Sequence, residues 1–255
     1  MLSNIKDHPE LNNSFLIECS WEVCNQLGGI YTVIRSKVPE YSRLWGDRYC
    51  LIGPMVGQNI MAEIDEITQD DSPLSQAVFN LRKQGLSIIF GTWLVTGRPT
   101  VILIDIQSSL ENIDEIRKKY YEDHQLIIQE EDLQKQVMAF ADVTLQAVAE
   151  IGQSFSNQNV IAHFHEWMSA LPILSLAHQK SNVKTVFTTH ATALGRYVAM
   201  NDEEFYSRLN SYNWEEEAER YNIMPIAQIE RLCANYADVF TTVSEVTAKE
   251  CVTFY

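Results

Sequence analysis

The sequence has 255 residues, is 46% hydrophobic, and carries 19 Lys and Arg against 34 Asp and Glu, a formal charge of −15 at pH 7. A chain of this length can bury a substantial core, but its acidity disfavours nucleic acid as a partner, since binding to a phosphate backbone depends on clustered cations. No apolar run could span a bilayer, no signal-peptide pattern opens the chain, and the five cysteines form no Cys-x-x-Cys pair, so we expect a cytoplasmic protein with reduced thiols and no membrane partner.

Short β-rich runs alternate along the chain with longer amphipathic stretches. The predicted strands cover residues 14–19, 49–52, 86–90, 101–106, 160–164, 184–189 and 239–243. The clearest predicted helix, residues 130–151, keeps its apolar side chains at a helical period. Strands that alternate with helices are typical of a mostly parallel sheet covered on both faces. The sequence therefore predicts an α/β fold.

Two glycines, Gly28 and Gly29, follow the first predicted strand and precede a helical pattern over residues 30–38. A backbone without side chains can approach phosphates closely, and a helix start presents unpaired amides to negative charge. The motif is not the dinucleotide-binding Gly-x-Gly-x-x-Gly, and the residues alone favour a tight turn that needs positive φ. Arg35 and Lys37, on the same helix, are expected to be solvated charges; the alternative is that one of them reaches a phosphate bound at the helix start.

Residues 163–167 (HFHEW) stand at the carboxyl end of the fifth predicted strand, where ligands bind in open α/β sheets. A His-x-His pair beside a carboxylate can bind zinc. Strand alternation, however, puts His163 and His165 on one face and Glu166 on the other, and no further Cys or His lies nearby in sequence, so a metal site is disfavoured. Glu166 can cap the helix that begins near Trp167, accept hydrogen bonds from a ligand, or do both.

The sixth predicted strand ends at His190, and Arg196 follows six residues later. This edge of the sheet suits a polar or phosphorylated substrate. A satisfied histidine beside a helix-capping threonine pair would give the same pattern, so the residues alone leave both interpretations open.

Four segments, in this order, resemble the glycogen synthases of the animal and fungal type. They are residues 19–37 (CSWEVCNQLGGIYTVIRSK), 163–167 (HFHEW), 188–197 (TTHATALGRY) and 238–248 (DVFTTVSEVTA), and residues 90–105 (FGTWLVTGRPTVILID) resemble the same family more weakly. The resemblance implies a Rossmann-like, doubly wound, mostly parallel sheet that forms the N-terminal half of a GT-B glycosyltransferase fold. Residues 1–255 would be that domain, and a second, nucleotide-binding domain would follow residue 255.

The resemblance also implies an activity. A family member transfers glucose from UDP-glucose to the non-reducing end of an α-1,4-glucan with retention, and it needs neither a metal ion nor a cofactor. The partners would be the nucleotide-sugar donor and the glucan acceptor, with a homo-oligomer possible for the full-length protein. The family places its essential acid and two pyrophosphate-binding cations in the second half, so this chain alone would be inactive. The alternative is a non-catalytic module that binds glucan or nucleotide sugar.

The resemblance assigns roles to motif positions of this sequence. The implied catalytic residues are His190, Arg196 and Glu166. The implied donor-binding residues are Gln26, Gly28, Gly29, His190 and Arg196. The implied lining of the sugar or acceptor cleft is His165, Glu166 and Trp167. The family usually carries a lysine where this chain has Gln26, so a lysine restored there would tighten donor binding through a charge-assisted hydrogen bond.

Overall fold

The computed structural model describes residues 9–56, 60–179 and 181–255, which form a sheet flanked by helices. The strands are β1 (Ser14–Cys19), β2 (Tyr49–Pro54), β3 (Ile64–Glu66), β4 (Ile88–Trp93), β5 (Thr100–Ile104), β6 (Asn159–His165), β7 (Lys184–Thr189) and β8 (Val239–Thr242). The helices are α1 (Gly29–Trp45), α2 (Pro73–Lys83), α3 (Gln107–Glu111), α4 (Ile113–His124), α5 (Asp132–Ser154), α6 (Trp167–Ala170), α7 (Pro172–His178), α8 (Ala193–Asn201), α9 (Trp214–Arg220), α10 (Met224–Tyr236) and α11 (Glu245–Phe254). Residues 1–8, 57–59 and 180 of the predicted domain lie outside the described residues.

The strand order across the sheet is β3-β4-β5-β2-β1-β6-β7-β8. All neighbours are parallel except β3 with β4 and β4 with β5, which are antiparallel. The chain builds outward from β1 in both directions, so the order reverses between β1 and β6, the place where open α/β sheets bind their ligands. This topology confirms the predicted α/β class and the mostly parallel sheet.

Both faces of the central strand are buried. Alternate residues of β1 point to opposite sides: Phe15 and Ile17 pack in one apolar cluster with α5, while Leu16 packs in a second cluster with α1. The first cluster also takes apolar side chains from α2, α7 and α10. A strand buried on both faces reads as a continuous apolar run, which is why the sequence predicted it readily.

Several bounds differ from the prediction, and two of the differences have a clear physical cause. Helix α1 continues past residue 38 to Trp45, although Pro39 lies inside it and removes one backbone hydrogen bond. Tyr41 and Trp45 pack against the same cluster as the first turns, and this contact offsets that loss. Strand β3 was not predicted because two of its three residues are exposed acids, and it pairs so closely with Gly91 that a Cβ there would lie 2.4 Å from Ile64 Cγ2.

A smaller apolar cluster holds the helices beyond β7. Leu194 of α8, Ala218 of α9 and Phe254 of α11 pack around the buried Phe205. This packing attaches α8 to the end of the sheet. No helix in the described part of the chain has the length and apolar character needed to cross a membrane.

Candidate functional site

A cleft of about 700 Å³ opens at the carboxyl ends of β1, β6 and β7. Its walls include Gly28 and Gly29 at the start of α1, Glu166 and Trp167 after β6, and His190 and Arg196 after β7, as well as residues of α5 and α10. The cleft therefore lies at the reversal point of the strand order. Six of the sequence-predicted site residues are brought together here.

Glu166 ties two strand ends together. Its amide donates to the Thr188 carbonyl at 3.0 Å, and its Oε1 accepts the amide of His190 at 2.8 Å. Arg196 Nη2 lies 3.6 Å from the same oxygen. Burial raises the pKa of this carboxyl, while the His190 amide and the Arg196 charge oppose the rise.

The backbone of Glu166 has φ 62° and ψ 164°, an unfavourable conformation for a residue with a side chain. Its carboxylate makes no capping hydrogen bond to α6, so of the two roles open to Glu166 the structure does not support helix capping. The side chain instead reaches the loop after β7, which explains why a strained backbone is retained at this position.

His190 is connected to the interior of the sheet. Its Nε2 lies 3.1 Å from Nδ1 of His165, and Nε2 of His165 lies 2.6 Å from Oε1 of Glu18 in β1. His165 is only 2% exposed and lies behind His190. The structure thus does not bring His165 to the cleft surface, where the resemblance had implied it would be.

Glu18 is the centre of a buried polar group. Its carboxylate contacts the Lys37 ammonium of α1, the Tyr49 hydroxyl of β2 and the His165 ring. Burial raises the pKa of Glu18, but Lys37 and the hydrogen bond from His165 more than offset this, and the pKa is lowered overall. At neutral pH the carboxylate is ionised.

The pKa values of the neighbouring imidazoles are lowered, whereas an acid beside a surface histidine raises the pKa of that histidine. Burial, together with the charges of His165 and Lys37 among others, lowers the pKa of His190 to about 4. Burial lowers the pKa of His163 to about 3 and also lowers that of His165. All three rings are neutral at pH 7, so they act as hydrogen-bonding groups without charge.

Three of these groups have the spacing of metal ligands. Glu18, His163 and His165 offer ligand atoms within 4.8 Å of one another. The Lys37 ammonium, however, contacts the Glu18 carboxylate and lies 3.3 Å from His165 Nε2, where a bound cation would sit. The expectation that Lys37 is a solvated charge is therefore wrong, because its ammonium neutralises a buried acid.

The start of α8, the helix that carries Arg196, is held from two directions. Thr192 caps the helix by accepting the Gly195 amide at 2.8 Å and donates its hydroxyl to Glu250 Oε2 at 2.8 Å. A Cβ at Gly195 would lie 2.3 Å from that same carboxylate oxygen. Glycine is required here because α11 approaches α8 so closely.

Glu230 of α10 provides the second attachment. Its two carboxylate oxygens accept the Ala193 amide at 3.2 and 3.0 Å, and the side chain is 1% exposed. Burial and the nearby charge of Glu166 raise the pKa of Glu230 to about 8. A largely protonated acid thus lies in the wall of the cleft at neutral pH.

The glycine loop differs from both interpretations of its sequence. Gly28 has φ −147°, and Gly29 does not adopt positive φ, so a turn with positive φ does not explain them. The helix-start amides are not all open to a ligand either, because Glu22 Oε2 accepts those of Gly28 at 2.9 Å and Tyr31 at 2.8 Å. A Cβ at Gly28 would lie 3.0 Å from Glu22 Oε1, which explains the first glycine.

Gln26 lies apart from the other predicted donor-binding residues. It is exposed and lines a separate cavity of about 460 Å³ with Arg35 and Thr96. It does not line the cleft. Sequence reasoning also missed Glu18, Glu22, Lys37 and Glu230. The only signal among them was Glu18, a charge inside a strand that otherwise reads as buried.

Sequence comparison shows which proteins this chain is similar to. The sequence model described as glycogen synthase matches residues 18–254. The liver glycogen (starch) synthase of Rattus norvegicus is 36% identical over 236 residues, covering 92% of this chain and 34% of the relative. The glycogen (starch) synthases of Caenorhabditis elegans and Neurospora crassa are 34% and 33% identical, covering 94% and 98% of this chain and 36% of each relative. The chain spans about a third of the length of these relatives, and it belongs to the glycogen synthase family.

Proposed function

We propose that this chain provides a substrate-binding half of a glucosyltransferase site that moves glucose from UDP-glucose to the non-reducing end of an α-1,4-glucan with retention. The observation that carries the proposal is the convergence of Glu166, His190 and Arg196, from the ends of neighbouring strands, on one cleft. Family membership and the glycogen (starch) synthase names of the relatives support the choice of sugar and acceptor.

Arg196 and His190 are suited to different parts of the donor, the diphosphate and the sugar. Transfer with retention passes through a state in which positive charge grows on the sugar and negative charge on the leaving diphosphate. Arg196 is suited to the diphosphate, because its guanidinium is always charged and its side chain is 59% exposed toward the cleft. His190 is neutral and suited to a sugar hydroxyl. Glu166 fixes the positions of both.

The acids in the cleft wall favour binding over bond cleavage by this chain alone. Enzymes that cleave glycosidic bonds generally use two carboxyl groups that flank the bond. Glu22, Glu166 and Glu230 line the cleft, but each accepts hydrogen bonds from backbone amides. These side chains stabilise the backbone around the cleft, so they are less suited to flank the reacting bond. This observation supports the second candidate, a module that binds nucleotide sugar or glucan without turnover when it acts alone.

We propose a reaction without metal or cofactor; in support, the group with metal-ligand spacing found among the described residues already has the Lys37 ammonium against its carboxylate. We place the protein in the cytoplasm, and the five free, buried cysteines support a reducing environment. The net charge of −15 argues against nucleic acid as a partner.

The test is calorimetry of UDP-glucose binding to the 255-residue chain. Arg196→Ala should weaken binding at least about tenfold, because charge-assisted hydrogen bonds to phosphate are strong. Arg43→Ala is the matched control, since Arg43 is exposed on α1, pairs with Glu40 and lies outside the cleft. Equal affinity in the wild type and Arg196→Ala would overturn the donor assignment.

A second measurement separates binding from turnover. Incubation of the chain with labelled UDP-glucose and glycogen should give no glucose incorporation above background. Steady incorporation would show that the 255 residues contain a complete catalytic set and would refute the assignment to a binding half.

A further inference from the structure

A line of hydrogen bonds runs from β1 through β6 to the cleft. Glu18 Oε1 lies 2.6 Å from His165 Nε2, and His165 Nδ1 lies 3.1 Å from His190 Nε2. Glu18 and His165 are 0% and 2% exposed, while His190 is half-buried and lines the cleft. The line therefore connects an acid in the interior to a ring that a ligand can reach.

The first hydrogen bond has a fixed direction. The Glu18 carboxylate is ionised, and an ionised carboxylate can only accept. An N···O distance of 2.6 Å requires a proton between the atoms, so His165 Nε2 must carry it. Lys37 is 3.3 Å from the same nitrogen, a weaker contact, and its shorter contact is with the Glu18 oxygen.

The first hydrogen bond also determines which ring donates in the hydrogen bond between His165 and His190. A neutral imidazole protonated on Nε2 has an unprotonated Nδ1, which can only accept. His165 Nδ1 must therefore receive its hydrogen bond from Nε2–H of His190. In neutral His190 the remaining nitrogen, Nδ1, carries the lone pair. Among the residues that the structure describes, no group donates a hydrogen bond to this nitrogen.

We propose that Glu18 is a positioning residue that, acting through His165, holds His190 as the Nε2–H tautomer and so presents Nδ1 to the cleft as a hydrogen-bond acceptor. An acceptor nitrogen takes a hydroxyl and rejects a phosphate oxygen, which has no proton to donate. The assignment of that hydroxyl to the donor sugar rests on the proposed function. This assignment places the sugar at His190 and the diphosphate at Arg196 within the cleft.

Lys37 explains how the Glu18 carboxylate stays ionised in the interior. An isolated buried carboxyl would take up a proton, and a protonated acid could donate to His165 and reverse the whole line. The Lys37 ammonium and the Tyr49 hydroxyl both contact the Glu18 carboxylate. The Lys37 charge keeps it ionised, so the direction of the line is built into the fold.

The experiment is long-range ¹H–¹⁵N NMR of the ¹⁵N-labelled 255-residue chain, with the ring of His190 assigned by comparison with His190→Gln. The wild type should show His190 as one neutral tautomer, protonated on Nε2. In Glu18→Gln the amide can donate as well as accept, so His190 should become a mixture of both tautomers. Tyr49→Phe is the control: it removes another partner of the same carboxylate, and the His190 tautomer should not change.

A wild-type His190 protonated on Nδ1, or an unchanged tautomer in Glu18→Gln, would overturn the proposal. If Glu18→Gln does not fold, a wild-type His190 protonated on Nδ1 would still overturn the proposal. Addition of UDP-glucose should shift the Nδ1 resonance of His190. If the tautomer depends on Glu18 but UDP-glucose shifts nothing, the positioning by Glu18 stands and the proposed function is contradicted.

Discussion

The two faces of the sheet are built for different purposes by the same strands. On the face toward α5, Phe15 of β1 and Phe164 of β6 pack in an entirely apolar cluster. On the opposite face, strands β1, β6, β7 and β8 carry a polar row, which we define as Glu18, His163, His165, Thr188 and Thr241. The apolar face supplies stability, and the polar row supports the cleft.

This difference shows how one sheet separates the residues that stabilise the fold from the residues that support the cleft. Strand alternation lets one strand contribute to both faces with no residue serving both. Substitutions on the apolar face should lower only the free energy of unfolding. Substitutions that affect the polar row should lower it less, by an amount that depends on which charge is left without a partner.

The largest effect is expected on the apolar face. Phe187 of β7 is 0% exposed, and its ring centre lies 5.6 Å from that of Phe240. Phe187→Ala should lower the free energy of unfolding by about 3–5 kcal/mol, because it removes a buried ring and leaves a cavity. Urea denaturation followed by circular dichroism measures this. Phe187→Leu should cost clearly less, and equal losses in the two variants would contradict a cavity mechanism.

The next effect concerns the polar row. Lys37→Met leaves the Glu18 carboxylate buried without its cation. The loss should be about 2–3 kcal/mol, at or just below the 3–5 kcal/mol typical of a broken buried pair, because a fifth of the Lys37 side chain is exposed. The double variant Glu18→Gln with Lys37→Met should recover much of the loss. If both variants are equally unstable, the ion pair is not what Lys37 provides.

A third prediction concerns Glu230 of α10, the helix that contributes both to the apolar cluster and to the cleft wall. Ile229 and Cys233 of this helix lie in the apolar cluster, and Glu230 lies between them in sequence but in the cleft wall. The pKa of Glu230 is raised from 4.5 to about 8. Its contribution to stability is complete below pH 4.5 and is lost as the pH rises through 8, because the unfolded chain releases this proton first.

Glu230→Gln keeps the acceptor for the Ala193 amide and removes the ionisation. From pH 6 to pH 8 the free energy of unfolding of the variant should rise relative to wild type by about 2 kcal/mol, given a limit of about 1.4 kcal/mol per pH unit for one proton. Glu216→Gln, at an exposed position of α9, is the control and should follow the wild type. A constant difference across this range would contradict the raised pKa.

The sequence predicted most of what depends on local pattern. Strand β7 has the predicted bounds, and the His190 and Arg196 that follow it lie in the cleft as expected. Each signal was a run of apolar residues that ends where polar ones begin, and such a run is local to one strand. The ligand-facing edge of a parallel sheet then follows from topology.

The sequence could not predict which groups neutralise one another across elements. Glu18 is visible as a charge in a buried strand, but its partner Lys37 lies on a helix, and helical spacing alone marks that lysine as solvated. In the same way, Glu22 and Glu230 look like ordinary acids until tertiary packing brings them to backbone amides. Contacts between distant positions decide these roles.

The smallest effect is expected at Gln26, in the loop before α1. Gln26 lies in a cavity with Arg35 and does not line the cleft. Gln26→Lys should therefore change the affinity for UDP less than about twofold near physiological salt, because an exposed charge that makes no direct contact with the ligand contributes little there. Val33→Lys is the matched comparison, because Val33 lines the cleft and a cation there should tighten binding. Calorimetry at low and high salt decides between them: a gain of fivefold or more for Gln26→Lys that shrinks with salt would place position 26 at the diphosphate, and would extend the cleft's binding surface across the start of α1.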